Sequence, residues 1–387
     1  MTERFIYLDN AATTFPKPGS ALTNMVQIYQ RIGVSPGRGS YDLAVAAEDL
    51  VYDTRRRLAR LFGAPDPDRV VFTGNATDAL NLAIQGLVKP GDHVVSTRIE
   101  HNSVLRPLYH LRQEGLITYD LVPFDGKGFV DPDAIAKAIK PNTRLVITCH
   151  ASNVLGTIQP INEIGPLCAG KGVPLLVDAA QSAGVVPIDM DSWKISAVAF
   201  TGHKSLLGPT GIGGLVIRPG VDLQTTRFGG TGIDSESPMH TQTYPHRLEA
   251  GTINLMGIIG LCEGLNFIER EGIESIHMRE MELITKLRDG LGLLDMIDLH
   301  CAEDLAGHVG LMTINVKGME PGSVGAILDA DFGIAVRVGL HCAPLVHESI
   351  GTFPRGGVRF SIGPFTTMDD IDLTLEAIGQ INLMQNR

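Results

Sequence analysis

One lysine stands at a position suited to covalent chemistry. Lys204 follows the apolar run SAVAF within SAVAFTGHKSLLGPTGIGGLVI, and a Gly-rich turn and a second strand-like run come after it. Leu206 and Leu207 indicate that this side chain is partly removed from water, which lowers the pKa of an ammonium group and favours Schiff-base formation with a carbonyl. A solvated surface lysine is the alternative for this stretch taken alone.

An aspartate ends the preceding apolar run, VPLLVDAAQS. The carboxylate of Asp178 can pair with the pyridinium nitrogen of a ring cofactor and keep that ring an electron acceptor, and Gln181 can donate to the ring's phenolic oxygen. A turn cap is the alternative role for Asp178. A lysine and an aspartate at successive strand ends of one sheet favour the cofactor site.

A possible phosphate site lies in VVFTGNATDALNLAIQGL. This stretch predicts a strand, a turn and a helix opened by Ala76, Thr77 and Asp78, and backbone N–H groups at such a helix start bind phosphate. Thr77 as an ordinary N-cap is the alternative. In STRIEHNS, His101 follows another strand, where its flat ring can stack on a cofactor.

The cysteines are scattered through the chain, at Cys149, Cys168, Cys262, Cys301 and Cys342. No C-x-x-C spacing occurs, which argues against a disulfide framework or a zinc site and predicts free thiols. Cys149 and Cys262 lie in apolar runs and are expected to be small buried hydrophobic residues. Cys342 differs because it follows a strand and a glycine beside His341, which predicts a partly exposed, activated thiol.

Short apolar runs alternate with helical segments between residues 69 and 217. This alternation predicts a mainly parallel sheet covered by helices on both faces, with ligands beyond the carboxyl ends of the strands. The runs are RVVF, HVVST, ITYDLV, RLVITC, VPLLVD, SAVAF and GGLVI, and helices are predicted near 76–87, 103–114, 133–139 and 162–171.

The pattern changes near residue 256 to a long helical stretch that runs to about 291. The runs LMTINV, AVRV and VRFSI follow, with helices predicted near 322–330 and from about 368. We therefore expect an N-terminal segment (1–15), a large α/β domain (16–255) and a smaller α+β domain (256–387). The sequence does not show which domain the N-terminal segment packs against.

Composition limits the partners of this 387-residue chain. A formal net charge of −11 and a pI near 5.5 disfavour a broad electrostatic surface for nucleic acid or acidic lipid. The start, MTERFIYLDN, does not have the pattern of a signal peptide, and no run of about 18 apolar residues occurs. We expect a cytoplasmic protein that binds small molecules and other proteins, without a membrane anchor.

Several motifs occur together in one order along nearly the whole chain. They are YLDNAATT (7–14), the Asn-Ala-Thr turn, EHNS (100–103), HASNVLGT (150–157), VDAAQS (177–182), TGHK (201–204), LEAGTIN (248–254) and RVGLHCAP (337–344). Together they resemble the class V aminotransferase superfamily and, within it, the cysteine desulfurases. The resemblance implies the pyridoxal 5'-phosphate (PLP)-dependent transferase fold type I and a homodimer.

The resemblance also implies roles for individual residues. Lys204 would hold PLP as a Schiff base, Asp178 would pair with its ring nitrogen, Gln181 would bind its phenolic oxygen and His101 would stack on it. Asn153 would orient the substrate or the ring. The phosphate ligands implied by the motifs are Ala76, Thr77, Thr201, His203 and, from the neighbouring subunit, Thr252.

The segment from Arg337 to Pro344 resembles the RxGxHCA loop of the Suf-type desulfurases. It departs from that pattern at Leu340, where a second histidine is common, and Pro344 follows Ala343 directly. The next motif, GGVRFS, implies that Arg359 binds the substrate carboxylate, which a guanidinium does through two parallel hydrogen bonds. A surface arginine is the alternative for Arg359. Arg337 is either a strand-edge charge or a support of the cysteine loop.

These residues predict conversion of L-cysteine to L-alanine, with a persulfide formed on Cys342 and passed to a sulfur-acceptor protein. Selenocysteine lyase and cysteine sulfinate desulfinase activities are alternatives, because the same residues would cleave those bonds. A non-catalytic scaffold is disfavoured, since Lys204, Asp178 and Cys342 are all present. A plain aminotransferase would not need Cys342.

Overall fold

The computed structural model describes residues 5–37, 39–233, 235–302 and 304–385. The helices are α1 (Gly19–Ile32), α2 (Asp42–Leu61), α3 (Ala76–Leu87), α4 (Asn102–Gln113), α5 (Pro132–Ala138), α6 (Ile161–Gly170), α7 (Leu255–Glu271), α8 (Ile273–Gly292), α9 (Pro321–Phe332), α10 (Pro344–Ser349) and α11 (Met368–Gln385).

The strands are β1 (Ile6–Tyr7), β2 (Val70–Thr73), β3 (Asp92–Thr97), β4 (Ile117–Val122), β5 (Thr143–Cys149), β6 (Leu175–Asp178), β7 (Ala197–Thr201), β8 (Gly213–Ile217), β9 (Ile297–Leu299), β10 (Leu311–Val316), β11 (Ile334–Ala335), β12 (Arg337–Gly339) and β13 (Gly357–Ser361). The predicted helices of the large domain each begin within about one residue of the expected position.

The large sheet has seven strands in the order β2-β8-β7-β6-β5-β3-β4. Only β8 runs antiparallel to its neighbours, so the predicted mainly parallel sheet is confirmed. Its central strands bury both faces: Val177 and Val198 pack in one apolar cluster, while Leu176 and Ala199 pack in another on the opposite side. Because both faces of these strands are buried under helices, their sequences are continuous apolar runs.

The strand register brings the predicted cofactor residues to one edge of this sheet. Cys149, the last residue of β5, is paired with Asp178, the last residue of β6. Asp178 is in turn paired with Ala199 of β7, which ends at Thr201. The carboxyl ends of three parallel strands therefore meet there, where ligands of open α/β sheets bind.

The small sheet is antiparallel, in the order β12-β13-β10-β9. The sequence run AVRV was expected to be one strand, and this is wrong. Ile334–Ala335 pairs with β1, whereas Arg337–Gly339 pairs with β13. Apolar alternation identifies an extended segment but not its neighbours, so the transfer between sheets at Val336 leaves no mark in the sequence.

The N-terminal segment packs against strands of the small domain. β1 is parallel to β11, and Asp9 forms a bridge with Ser361 at the end of β13. Farther along, the amide of Thr14 donates to the carbonyl of His203 in the large domain at 3.2 Å. The segment thus connects the two sheets beside the predicted site.

The long helical stretch is divided at Gly272, whose φ of +82° ends α7 and precedes α8. Glycine adopts this left-handed conformation without the steric cost of a Cβ atom. Helix α7 packs against α1 and α2, whereas α8 packs against α11. The predicted domain limits therefore fall in a region where neighbouring helices pack on different partners, and those limits stay a prediction.

Candidate active site

A cavity of about 480 Å³ lies at the carboxyl ends of β5, β6 and β7 and reaches the start of α3. Most of the predicted site residues line it, namely Ala76, Thr77, His101, Asn153, Asp178, Gln181, Thr201, His203 and Lys204. A wider groove of about 850 Å³ shares Thr77, His101 and Ser103 with this cavity, and Cys342 lies on its wall. Arg359, Arg337 and Thr252 do not line the cavity.

Lys204 follows β7, is partly buried and lines the cavity. Burial lowers the pKa of its ammonium group to about 8, against the opposing charge of Asp178, and Arg359 and Cys342 are among the other groups close enough to act on it. A lysine with this pKa is neutral in a substantial fraction of molecules near pH 8. Such an amine can attack a carbonyl or accept a proton.

Asp178 combines the two roles considered for it. Its Oδ1 accepts the amide of Ala180 at 2.9 Å, so it does cap the turn after β6, and it also lines the cavity. Burial raises the pKa of this carboxyl, opposed by that hydrogen bond and by Lys204. A buried carboxylate pairs most favourably with a cationic donor.

The far end of the cavity combines unpaired polar groups with a helix N-terminus. The Thr201 hydroxyl and His203 Nδ1 are buried there without a hydrogen-bond partner among the described residues. Helix α3 begins at Ala76 and points its N-terminus at the same space. Thr77 as the N-cap is wrong, because Asn75 caps the helix by accepting the amide of Asp78 at 2.9 Å. Unpaired buried polar groups beside a helix N-terminus match the requirements of a phosphate.

His101 is fixed as a neutral ring with a defined tautomer. Burial, together with the charges of Lys204 and other nearby cations, lowers its pKa to about 4. Its Nδ1 accepts the amide of Ser103 at 3.0 Å as the N-cap of α4. The proton of the neutral ring therefore lies on Nε2. Ser103 also contacts the start of α3, since its Oγ is 2.7 Å from Thr77 Oγ1.

Arg359 is buried beside the cavity and is held by two acceptors. Its Nη1 donates to the carbonyl of Asn153 at 2.9 Å and its Nη2 donates to Asp9 Oδ1 at 3.0 Å, while its Nε has no partner among the described residues. The surface alternative for Arg359 is therefore wrong. Arg337 is half-exposed and donates to the other oxygen of Asp9 at 2.7 Å.

Two further predicted residues hold the walls of the site together. Asn153 donates from Nδ2 to the carbonyl of His341 at 2.6 Å, and Gln181 donates from Nε2 to the carbonyl of Ala11 at 3.0 Å. Both side chains are buried and line the cavity. They connect the large sheet to the cysteine loop and to the N-terminal segment.

Cys342 is the exposed cysteine, whereas Cys149, Cys168 and Cys262 are buried as small hydrophobic residues and Cys301 is intermediate. Its loop is short: β12 ends at Gly339 and α10 begins at Pro344. The amide of Asn102, next to His101, donates to the carbonyl of Cys342 at 2.7 Å. The thiol-bearing loop is thus attached to the cavity edge.

The expected exposure of Cys342 is confirmed, whereas its activation stays a prediction to which the neighbouring His341 adds no positive charge. Burial lowers the pKa of His341 to about 2, with Arg359 acting in the same direction. The ring is therefore neutral near pH 7 and brings no positive charge to the thiol.

Comparison with known proteins identifies the family. The sequence model of the Aminotransferase class-V family matches residues 6–374. The chain belongs to the class V aminotransferase family. Within the part of it that the structure describes, no helix is long and apolar enough to cross a bilayer.

Relatives of this class V chain include proteins named probable cysteine desulfurase. One from Methanothermobacter thermautotrophicus is 36% identical, with 97% of this chain and 94% of the relative covered. One from Pyrococcus abyssi is 34% identical, with 98% and 95% covered. The resemblance to cysteine desulfurases is thereby confirmed, while the Suf-type assignment stays a prediction.

Solved structures with a similar fold match nearly the whole of this chain. The apo structure of a cysteine desulfurase from Thermococcus onnurineus has a TM-score of 0.91 at 33% identity, covering 97% of this chain and 94% of that one. The cysteine desulfurase CsdA from Escherichia coli has a TM-score of 0.87 at 27% identity, covering 98% and 94%. The predicted fold class is confirmed.

Sequence reasoning missed two residues of this class V site. Asp9 pairs with both Arg337 and Arg359, and Ser103 joins Thr77 to His101. Asp9 lies in the motif YLDNAATT, so its presence in a polar turn after a strand was a usable signal. Ser103 lies in EHNS at a helix start, where the sequence predicts a local helix cap as readily as a site residue.

Proposed function

We propose that this protein is a PLP-dependent cysteine desulfurase that converts L-cysteine to L-alanine and carries the released sulfur as a persulfide on Cys342. One observation carries the proposal: an exposed cysteine lies on the wall of a groove that adjoins the cavity lined by a lysine with a lowered pKa. A plain aminotransferase needs the lysine alone. The named desulfurase relatives support the same reaction.

The cavity fits PLP at both ends. The unpaired Thr201 hydroxyl and His203 Nδ1, together with the start of α3 at Ala76 and Thr77, would hold the phosphate. Asp178 would pair with the ring nitrogen at the other end. When bound, PLP supplies an electron sink for cleavage of bonds to the amino-acid Cα.

The rest of the cavity would hold the ring between these ends. Gln181 lines the cavity and would contact the phenolic oxygen, and the neutral His101 ring would stack on the cofactor without adding charge. Asn153 is anchored to the cysteine loop and would orient the substrate or the ring. All three side chains line the cavity.

Lys204 and Arg359 would act on different groups of the substrate. The neutral Lys204 amine would anchor the cofactor and then accept the proton from the substrate Cα. Arg359, whose Nε is unpaired and whose other nitrogens are fixed by Asp9 and Asn153, would bind the carboxylate. Arg337, held by the exposed side of Asp9, would support this arrangement rather than contact substrate.

The sulfur step balances without an external oxidant. The Cys342 thiolate attacks the substrate sulfur, a sulfur–sulfur bond forms, and the substrate Cβ–sulfur bond breaks. The electron pair and a proton go to Cβ, so one cysteine and one thiol give alanine and one persulfide. The exposure of Cys342 would leave that persulfide accessible to an acceptor protein.

We also propose that the active form is a homodimer in the cytoplasm. Thr252 is exposed and lies outside its own cavity, which supports a role at the phosphate of a second copy. An exposed apolar stripe on α1, formed by Leu22, Val26 and Tyr29, offers a surface for that copy. An active monomer with tightly bound cofactor at high dilution would contradict the dimer.

Product analysis tests the proposed reaction. With L-cysteine and no α-keto acid, the protein should release alanine and gain one sulfur atom on Cys342, located by peptide mass spectrometry. Cys342→Ser should abolish the persulfide, and Cys301→Ser, the matched control at a less exposed thiol, should not. A persulfide on another cysteine, or alanine formation that depends on a keto acid, would refute the assignment. Rates on selenocysteine and cysteine sulfinate compare the alternative substrates.

A further inference from the structure

A series of hydrogen-bonded side chains lies behind the Cys342 loop. His341 Nδ1 is 3.3 Å from His347 Nε2, and His347 Nδ1 is 2.7 Å from Thr352 Oγ1. His341 Nε2 lies 3.4 Å from the carbonyl of Arg337. Both rings are buried, and His347 has no exposed surface. Neither His347 nor Thr352 has a part in the reaction described above.

The contacts of this chain favour one arrangement of the histidine protons. The carbonyl of Arg337 only accepts, so His341 Nε2 donates and Nδ1 of the neutral ring accepts. His347 must then donate from Nε2 and accept at Nδ1, and the Thr352 hydroxyl donates to it. Burial supports two neutral rings, since it lowers the pKa of His341 to about 2 and that of His347 to about 4.

The loop in front of this chain has a backbone conformation that needs support. His341 and Cys342 have φ values of +50° and +56°, a region that residues with a Cβ atom rarely adopt. Asn153 and the amide of Asn102 hold the two carbonyls from the cavity side. On the opposite side, the ring of His341 is held by His347.

We propose that His347 is a positioning residue, which together with Thr352 holds His341 so that the Cys342 thiol faces the mouth of the Lys204 cavity. The inference rests on the proposed function, in which Cys342 receives sulfur. The positioning residue, His347, lies on α10 and contacts neither the substrate nor the cofactor site. Removing its hydrogen bond to His341 should release the loop and leave the cavity unchanged.

Three substitutions separate the two hydrogen bonds of His347. In His347→Gln the amide nitrogen can take the place of Nε2 and still donate to His341. In His347→Asn the shorter side chain can accept from Thr352 but cannot reach His341. His347→Leu fills similar space and makes neither bond. Thr352→Val removes the far end of the chain and keeps both histidines, which provides a test if His347→Leu does not fold.

The first measurement is amide hydrogen exchange in the cofactor-free protein, which does not depend on activity. Exchange in residues 339–347 should be faster in the Leu and Asn variants than in wild type and near wild type in Gln. Exchange in the strands β5 to β7 should not change. Faster exchange throughout the protein would show a general loss of stability and overturn the role of His347 in holding the loop.

The second measurement is single-turnover persulfide formation with PLP bound. The Leu and Asn variants should lose about tenfold in rate, the effect of one lost hydrogen bond, while Gln stays near wild type. KM for cysteine and the cofactor absorption should be unchanged. Equal rates in Leu and Gln, or a changed KM with an unchanged rate, would overturn the inference.

The two proposals fail in different ways. Persulfide formation in Cys342→Ser would refute the function of Cys342 whatever the loop does. Persulfide on Cys342 together with unaltered loop exchange in His347→Leu would refute the positioning role of His347 alone.

Discussion

Replacing Asp9 by asparagine tests whether one carboxylate holds the substrate arginine in place. Asp9 Oδ1 accepts from Arg359 at 3.0 Å, and Oδ2 accepts from Arg337 at 2.7 Å. The Arg359 side chain is 4% exposed and that of Arg337 is 51% exposed, so one ion pair is buried and the other is half in water. Asp9→Asn preserves shape and removes the charge on which both pairs depend.

The burial difference sets the expected magnitudes. Removing one partner of a buried ion pair costs about 3 kcal/mol, because the remaining charge is left without compensation. Removing one partner of an exposed pair costs about 0.5 kcal/mol. Asp9→Asn should therefore lower the free energy of unfolding by about 3 kcal/mol, nearly all through Arg359. A displaced guanidinium that loses one charged hydrogen bond, about 2 kcal/mol, should raise KM for cysteine about thirtyfold.

Arg337→Gln is the matched control, since it removes the exposed partner of the same carboxylate. Urea unfolding followed by circular dichroism gives the stabilities, and alanine release against cysteine concentration gives KM. Asp9→Asn should change both quantities with the cofactor absorption intact, and Arg337→Gln should change neither appreciably. Equal losses in the two variants, or an unchanged KM in Asp9→Asn, would refute the reasoning from burial.

Three further predictions concern the lysine and the fate of the sulfur. Purified protein should absorb near about 420 nm and lose covalent cofactor in Lys204→Ala; borohydride should fix the cofactor on Lys204 and on no other residue. Because burial lowers the pKa of Lys204 to about 8 from 10.5, the neutral amine becomes more abundant as pH rises, so cofactor-free protein should combine with PLP faster as pH increases through 8. A rate that is flat across this range contradicts that pKa. Alanine release should show a burst followed by a slow phase that a thiol reductant or an acceptor protein accelerates severalfold, and a missing burst would make chemistry at Lys204 limiting.

The chemistry of the site was largely predictable because it follows from strand ends. Asp178 ends a continuous apolar run and Lys204 lies shortly after another, and parallel strands bring such positions to one edge. Helix α3 was predicted at its observed start for a similar reason, since a glycine turn and a polar cap precede an amphipathic segment. These features depend on residues close together in the chain.

Contacts between distant segments were not predictable in the same way. Asp9 and Arg359 are 350 positions apart, and no local pattern joins them. Helices α1 and α2 were not predicted, although both have regular amphipathic spacing. The antiparallel direction of β8 was also missed, since an apolar run has no direction.

The Cys342 loop combines both kinds of information, and its geometry limits how sulfur can leave the protein. Four residues lie between the end of β12 and the start of α10, so the thiol has little chain with which to move. The carbonyls of His341 and Cys342 are both bound by residues of the large domain, Asn153 and Asn102. A cysteine held in this way must receive sulfur where it stands and keep it there. The acceptor therefore has to approach the rim formed by His341, Cys342 and α10, because the persulfide cannot travel to it.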